Sequence, residues 1–481
     1  MSAPSNAQYQ NGQTPVTGDQ FNTFVQGTTT AATLRGFIGL PGMNVLLQGI
    51  ATAGDSGAGM FWWNPSSTAA DDNFNYIVPP SSSSGAWNRL QIEGAFYINV
   101  KSFGATGNGV TDDTVAIQSA INSAGTAGGI MFFPPGTYLY SALTVNADVS
   151  LLGSGAGAST LLCSGTGTIT IYGASFVKDL QFASPSARTA GSTLSLQGND
   201  IQIQNCTAKN YFLFATVGTF SSVQAIGARF LDIDMFSPAT GAGSGGILFL
   251  NYSTGVVQDC IITGTITGNQ PDFGIRADNG DTLLLSNCNI TRHGSAFLSI
   301  TPAGQNIYAT MAVNCLFDSG GTTSSGASSS CTIEPFGNVE DVQFSNCWFG
   351  LSIGESGCIL SSANGGTVVG VDFAGCKFVG NAIDGLTCTG SGVSNITVSG
   401  GDAGGNANAG LNFENGATSF TVTGVRAGNT DTRGANGTGI LTSGGGNNYL
   451  IVGNNLHGNT IANLTDGATG STKVVANNLT T

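Results

Sequence analysis

One short pattern returns along this chain, and it limits what the chain can fold into more than anything else. A cysteine followed by apolar residues appears in "VVQDCII" around Cys260, "LLLSNCNI" around Cys288, "MAVNCLF" around Cys315, "VQFSNCWF" around Cys347 and "VDFAGCKF" around Cys376. A second register lies between these copies. It runs through "GGILFLN", "FGIRADN", "SAFLSIT", "SSCTIEP", "SGCILSS", "DGLTCTG", "AGLNFEN" and "TGILTSG". Its lead residues are Ile247, Ile275, Phe297, Cys331, Cys358, Leu386, Leu411 and Ile440, a mean step of roughly 28 residues, within the range of solenoid repeats. Each period holds at least two short strands parted by Gly, Asn and Ser turns. None can bury a core alone, so neighbours must stack. A parallel β-helix satisfies this, each coil bonding the next at about 4.8 Å.

Equivalent residues then fall into columns. Cys206, Cys260, Cys288, Cys315, Cys347 and Cys376 form one expected inward column. Two residues on, Ile262, Ile290, Phe317, Phe349 and Phe378 face the same way, so the phenylalanines can stack coil over coil. The closely spaced Cys pairs of a zinc site are absent, and disulfides would have to bridge coils. Buried thiols acting as small hydrophobes is the expectation, with no metal and no cofactor implied. Asn205, Asn287, Asn314 and Asn346 are expected to stack as an amide ladder at the adjoining turn.

Composition agrees with an all-β chain. Only 8% of residues are charged and 73 are Gly, which favours short strands and tight turns over helices. The net charge of −14 argues against nucleic acid, whose phosphates need a basic face, and against an acidic membrane surface. No apolar run approaches the roughly 20 residues that span a bilayer. The start, "MSAPSNAQYQNGQTPVTGDQ", lacks a basic and apolar leader, so no secretory signal is expected.

The stretch "FGATGNGVTDDTVAIQSAINSAGTAGGIMFFPPGTY", residues 103–138, predicts a helix covering the open end of the stack. Thr111 or Asp112 is expected to cap it, Val115, Ile117, Ala120 and Ile121 to form its buried side, and Gly125 to stop it. This stretch resembles the opening motif of the pectate lyase-like right-handed β-helix superfamily, especially the subset in bacteriophage tailspikes. The resemblance covers about residues 96–481 as architecture. It implies a right-handed, single-stranded parallel β-helix with an N-terminal capping helix.

Residues 25–95 lack the repeat and hold Trp62, Trp63 and Trp87. They resemble a small module that precedes this fold in phage tail proteins and attaches to the virion or packs on the helix's end. Asp71 and Asp72 are expected in a polar loop, with Trp87 and Arg89 as closing contacts. Residues 1–24 read as a flexible or docking segment. The resemblance implies a homotrimer on the virion tail, host surface polysaccharide as partner, assembly in the host cytoplasm and release by lysis.

In the second register, the residues one and three places beyond each inward position point outward. The first outward column reads Leu248, Arg276, Leu298, Thr332, Ile359, Thr387, Asn412, Leu441. The second reads Leu250, Asp278, Ile300, Glu334, Ser361, Thr389, Glu414, Ser443. The apolar members Leu248, Leu250, Leu298, Ile300 and Ile359 suggest an interface, or a covering loop. Asp278 and Glu334 stand two coils apart, roughly 9.6 Å between backbones. That is close to the separation of about 6.5–9.5 Å between the carboxyls of inverting glycosidases, and these two are the candidate acid and base. Arg276 and His293 are candidate sugar-binding or charge-tuning neighbours, and Trp348 is either a stacking surface for a sugar or a shield for the adjoining turn. The plainer alternative is that Asp278 lies in the turn "ADNGD" and Glu334 pairs with Arg276. Asp272, Asp318, Glu355 and Asp384 stand behind them as further candidates. The pectate lyase calcium set cannot be mapped. Of the polygalacturonase pattern only "RHG" at Arg292 and "NTD" at Asn429 occur, out of order. Neither activity is assigned, and a non-catalytic adhesin remains the alternative.

Overall fold

A computed structural model describes residues 30–480, apart from 55–56, 74, 91–96, 220–222, 237–238, 266–268, 324–325, 328 and 429–432. The expected segment 1–24 and the "NTD" at Asn429 lie outside the described residues.

Two sheets build the body: one of 13 strands and one of 27 strands. They are called here the short and the long sheet. Every pairing in the short sheet is parallel and joins one coil to the next, giving thirteen coils. The lead residues pair in the expected order, Ile247 with Ile275, Phe297, Cys331, Cys358, Leu386, Leu411 and Ile440. The long sheet bends once in each coil. Between Tyr252–Gln258 and Ile261–Thr263, for example, the chain turns at Asp259 and Cys260.

That bend explains the recurring cysteine. Its first residue has a positive φ in coil after coil: 54° at Asp259, 53° at Asn287, Asn314 and Asn346, and 65° at Gly375. Only Gly, Asn and Asp visit this left-handed region readily. The cysteine that follows turns inward. The Cys260 carbonyl accepts from Asn289 N, Cys288 from Leu316 N, Cys315 from Trp348 N, and Cys347 from Lys377 N. All ten cysteines are buried and free. The Cys206 column is interrupted once, because Cys206 pairs with Ile233 before Cys260 follows. The asparagine ladder at this corner is partial, with Asn287 donating to Asp259 at 3.0 Å and Asn314 to Asn287 at 3.4 Å. Backbone conformation is the stronger reason for asparagine here.

A continuous ladder stands elsewhere. Asn381 donates to Asn406 (2.9 Å), Asn406 to Asn436 (2.8 Å) and Asn436 to Asn459 (3.1 Å), in the turns that lead into the short sheet. Inside, Phe317 stacks on Phe349 at 5.3 Å and Phe349 on Phe378 at 5.2 Å, with Phe344 and Phe373 stacked beside them.

The helix forms at Thr114–Ser123 and buries Ile117, Ala120 and Ile121 on the core. Val115 is 78% exposed, contrary to expectation. It lies on the helix's far side, four residues before the exposed Ser119. The cap also differs. Asp113 holds the N-cap position without capping through its side chain; its carboxylate instead accepts from Thr106 and Gly107. Asp112 accepts from Thr114 N at 2.9 Å. Gln118 exchanges two bonds with the backbone of Thr144, on the edge strand Leu143–Val145. The helix thus satisfies an edge that a preceding coil would otherwise pair.

Before the body, Asn44–Leu47, Gly59–Asn64, Ala86–Arg89 and Tyr76–Ile77 make a four-stranded antiparallel sheet. Trp87 packs edge-on to Trp63 at 5.4 Å and donates to the Phe37 carbonyl. Arg89 lies 4.7 Å over Phe61. Asp71 forms an ion pair with Arg35.

In the coils from Ile247 to Ile440 the residue before each lead residue is Gly, Ala or Ser. A Cβ on Gly385 would lie 2.3 Å from the Gly410 carbonyl oxygen and 2.7 Å from Phe378 Cβ. Gly385→Val is expected to lower stability by roughly 1–3 kcal/mol through overpacking, read as a lower denaturant midpoint. An unchanged midpoint would refute the packing argument.

Candidate functional site

The outward face of the short sheet carries the columns that the register implies. Leu248, Arg276, Leu298, Thr332, Ile359, Thr387, Asn412 and Leu441 are coil-to-coil partners. The face is more closed than its sequence suggested. Leu213, Phe273 and Leu298 form a small buried cluster with Phe212, Leu248 and Ile300 packed against it. Part of the expected open apolar surface is therefore covered by the chain itself.

Arg276 and Asp278 sit side by side. The guanidinium grips the carboxylate through Nε to Oδ1 at 2.7 Å and Nη2 to Oδ2 at 2.9 Å. The Asp278 side chain is fully buried, while that of Arg276 is 26% exposed. Burial pushes the Asp278 carboxyl up from the ordinary carboxylate range, and Arg276 opposes the rise. Glu334, half-buried two coils on, accepts from Ser361 Oγ at 3.1 Å.

His293 lies in the turn before the strand Ser295–Ser299 and is buried, with neither ring nitrogen bonded. Burial lowers its pKa to about 4, so it is a neutral imidazole near pH 7. Trp348 belongs to the long sheet, in the outward column Leu316, Trp348, Lys377. Arg433 stacks over its ring at 4.7 Å. The structure therefore groups Arg276, Asp278 and Glu334 on one face, sets His293 inside, and puts Trp348 on the neighbouring sheet.

Among the further candidates, burial raises the carboxyls of Asp272 and Asp318. Glu355 is raised by burial and by the charge of Asp384. Asp384 itself accepts from Thr387 Oγ1, Asn408 Nδ2, Ala409 N and Asn412 Nδ2, all within 3.0 Å. Four donors around a buried carboxylate make a latch between coils. Beside it, hydroxyls of Ser295, Ser329 and Thr332 bond one another, and Ser356 bonds Thr387. Neither this network nor the buried asparagine ladder was read from the sequence. The signal was available, because each ladder asparagine precedes its lead residue by four or five places. Among the described residues no three His, Cys, Asp or Glu side chains gather as metal ligands.

Residues 97–332 match the family described as rhamnogalacturonase A/epimerase, pectate lyase-like, and residues 27–93 match the phage tail protein small four-stranded β-sheet domain. The chain thus resembles a pectate lyase-like β-helix preceded by a phage tail module. Solved structures agree on the fold of this β-helix. A tailspike of Acinetobacter baumannii bacteriophage Fri1, described as a capsular polysaccharide depolymerase, superposes with a TM-score of 0.53 at 15% identity, covering 94% of this chain and 74% of that one. An α-1,3-glucanase of Streptomyces thermodiastaticus gives a TM-score of 0.51 at 14% identity, covering 83% and 72%. In sequence, a mannuronan C5-epimerase of Azotobacter vinelandii is 47% identical over 72 residues, 13% of this chain and 8% of that protein. An alginate lyase of the same organism is 43% identical over 72 residues, again 13% of this chain and 8% of that protein. The chain spans less than a tenth of the length of these curated relatives.

The buried His293 gives the β-helix a predictable pH response. Its folded pKa, about 4, lies below the ordinary 6.5, so the unfolded chain binds the extra proton. Stability is lost as pH falls from about 6.5 towards 4 and levels off below. At pH 4.5 His293→Leu is expected to recover roughly 2–3 kcal/mol relative to its own offset at pH 7. Denaturant unfolding at the two pH values measures this. A constant offset would show that folding does not depress the His293 pKa.

Proposed function

We propose that the protein is a virion-attached spike that binds host surface polysaccharide along the outward face of the short sheet and cleaves it with Asp278 and Glu334. The observation that carries this reading is a phage tail module at residues 27–93 placed directly before a pectate lyase-like body. The depolymerase activity described for the Fri1 tailspike supports the substrate class. The division at about residue 96 separates attachment from recognition. The assembly is a homotrimer on the virion tail, formed in the host cytoplasm and released by lysis, and it needs neither nucleic acid, membrane insertion nor a cofactor.

In the proposed reaction a sugar oxygen displaces Asp278 from Arg276. The carboxyl's raised proton affinity suits it to act as general acid, and Arg276 is freed to hold the sugar. Glu334, whose Oε1 is oriented by Ser361, activates water from two rungs away, a spacing of about 9.6 Å that leaves room for it. Trp348, with Arg433 on its ring, offers a sugar contact on the neighbouring sheet, and His293 supports the turn from inside. A non-catalytic adhesin is the second reading. It is favoured by the sealed, bidentate pairing of Asp278 with Arg276.

The test incubates the full chain with host capsule or lipopolysaccharide and measures chain length and binding. The expectation is shortening by the wild type, lost by at least a hundredfold in Asp278→Asn and Glu334→Gln with binding kept. Binding without shortening would establish the adhesin instead, and absence of binding would remove both readings. A light-scattering mass of three times 48.5 kDa is expected for the assembly.

A further inference from the structure

Three coils before Asp278, the turn between the strands Gln181–Ala183 and Ser192–Leu196 holds a buried cation. Arg188 is 5% exposed. Its guanidinium has two neutral partners, Thr193 Oγ1 at 3.2 Å and the Ser192 carbonyl at 3.5 Å. Its Nε has none. Among the described residues no carboxylate pairs with it, although Asp and Glu outnumber Lys and Arg by 27 to 13. Burying an ion without a counter-charge costs several kcal/mol, so buried charges are normally paired or hold a ligand.

Arg188 lines a cavity of about 390 Å³ between two successive turns. The walls include Ser164, Thr166, Ser184, Ser186 and Thr189, and no acidic residue. Gly191, at φ 77°, leaves space there, since a Cβ would stand 3.0 Å from Arg188 Nη2. A guanidinium fork with a vacant Nε, ringed by hydroxyl donors, is complementary to a planar oxyanion. The volume, that of roughly a dozen waters, exceeds what a bare carboxylate fills and matches a sugar ring carrying one.

We propose that Arg188 anchors a binding site for the carboxylate of an acidic sugar. The ligand class deepens the polysaccharide reading above and rests on it, while the anion site stands on Arg188 alone. Sodium glucuronate, glucose, sulfate and phosphate are titrated against the full chain by saturation-transfer NMR, with Arg188→Met and Arg188→Lys as variants. Glucuronate is expected to bind the wild type, at least tenfold more weakly to both variants, and glucose not at all. Arg188→Met is expected to keep or raise the melting temperature, because it removes an unpaired buried charge. No glucuronate binding by the wild type overturns the proposal even if polysaccharide still binds. Sulfate or phosphate binding as tightly as glucuronate overturns the acidic-sugar assignment. Glucuronate binding that depends on Arg188 in a chain that ignores host polysaccharide upholds the site and sinks only the spike reading.

Discussion

Each coil of this protein satisfies its backbone by hydrogen bonding in register to the coils on either side. A group left unpaired inside would be expensive, so a residue cannot slip without displacing a whole strand of partners. Successive coils must therefore turn at the same place. At the corner of the long sheet the turn requires a left-handed residue, and Asp259, Asn287, Asn314, Asn346 and Gly375 supply it one after another. The residue that follows points inward, where a cysteine fits. What looked like a cysteine motif is the trace of a backbone constraint with a small hydrophobe beside it.

The same stacking decides how polar side chains behave. A polar residue repeated at one level meets its own copy one rung away, and the two can satisfy each other. Asn381, Asn406, Asn436 and Asn459 do so inside. Unlike residues do so as well, as where Ser356 bonds Thr387 of the next coil. Groups completed in this way hold coils together. Arg276 and Asp278 complete each other too, so the buried carboxylate is not left without a counter-charge. Arg188 stands apart because its neighbours are neutral.

The outward face thus divides by the state of its polar atoms. Asp384 has four donors and nothing left to offer a ligand. Glu334 keeps one carboxylate oxygen beyond its bond to Ser361. Glu355 holds its proton more firmly, first because it is partly buried and then because of the charge of Asp384. A ranking by residue type alone would treat these acids as equals, and their environments separate them.

The parallel stack, its register from Ile247 to Ile440 and the layering of Phe317, Phe349 and Phe378 were legible in the sequence, because a parallel ladder copies sequence period directly into spatial columns. The placement of Arg276, Asp278 and Glu334 on one face followed from the same two-residue alternation. The sequence did not disclose that Asp278 is sealed, that His293 points inward, or that Val115 faces solvent. Each of these depends on how a turn folds back and what then covers it, and turns vary in length from coil to coil. Sequence by itself determined which residues share a column. Tertiary structure decided which of them meet water or a counter-charge, since desolvation depends on everything packed around a group and leaves no period in the chain.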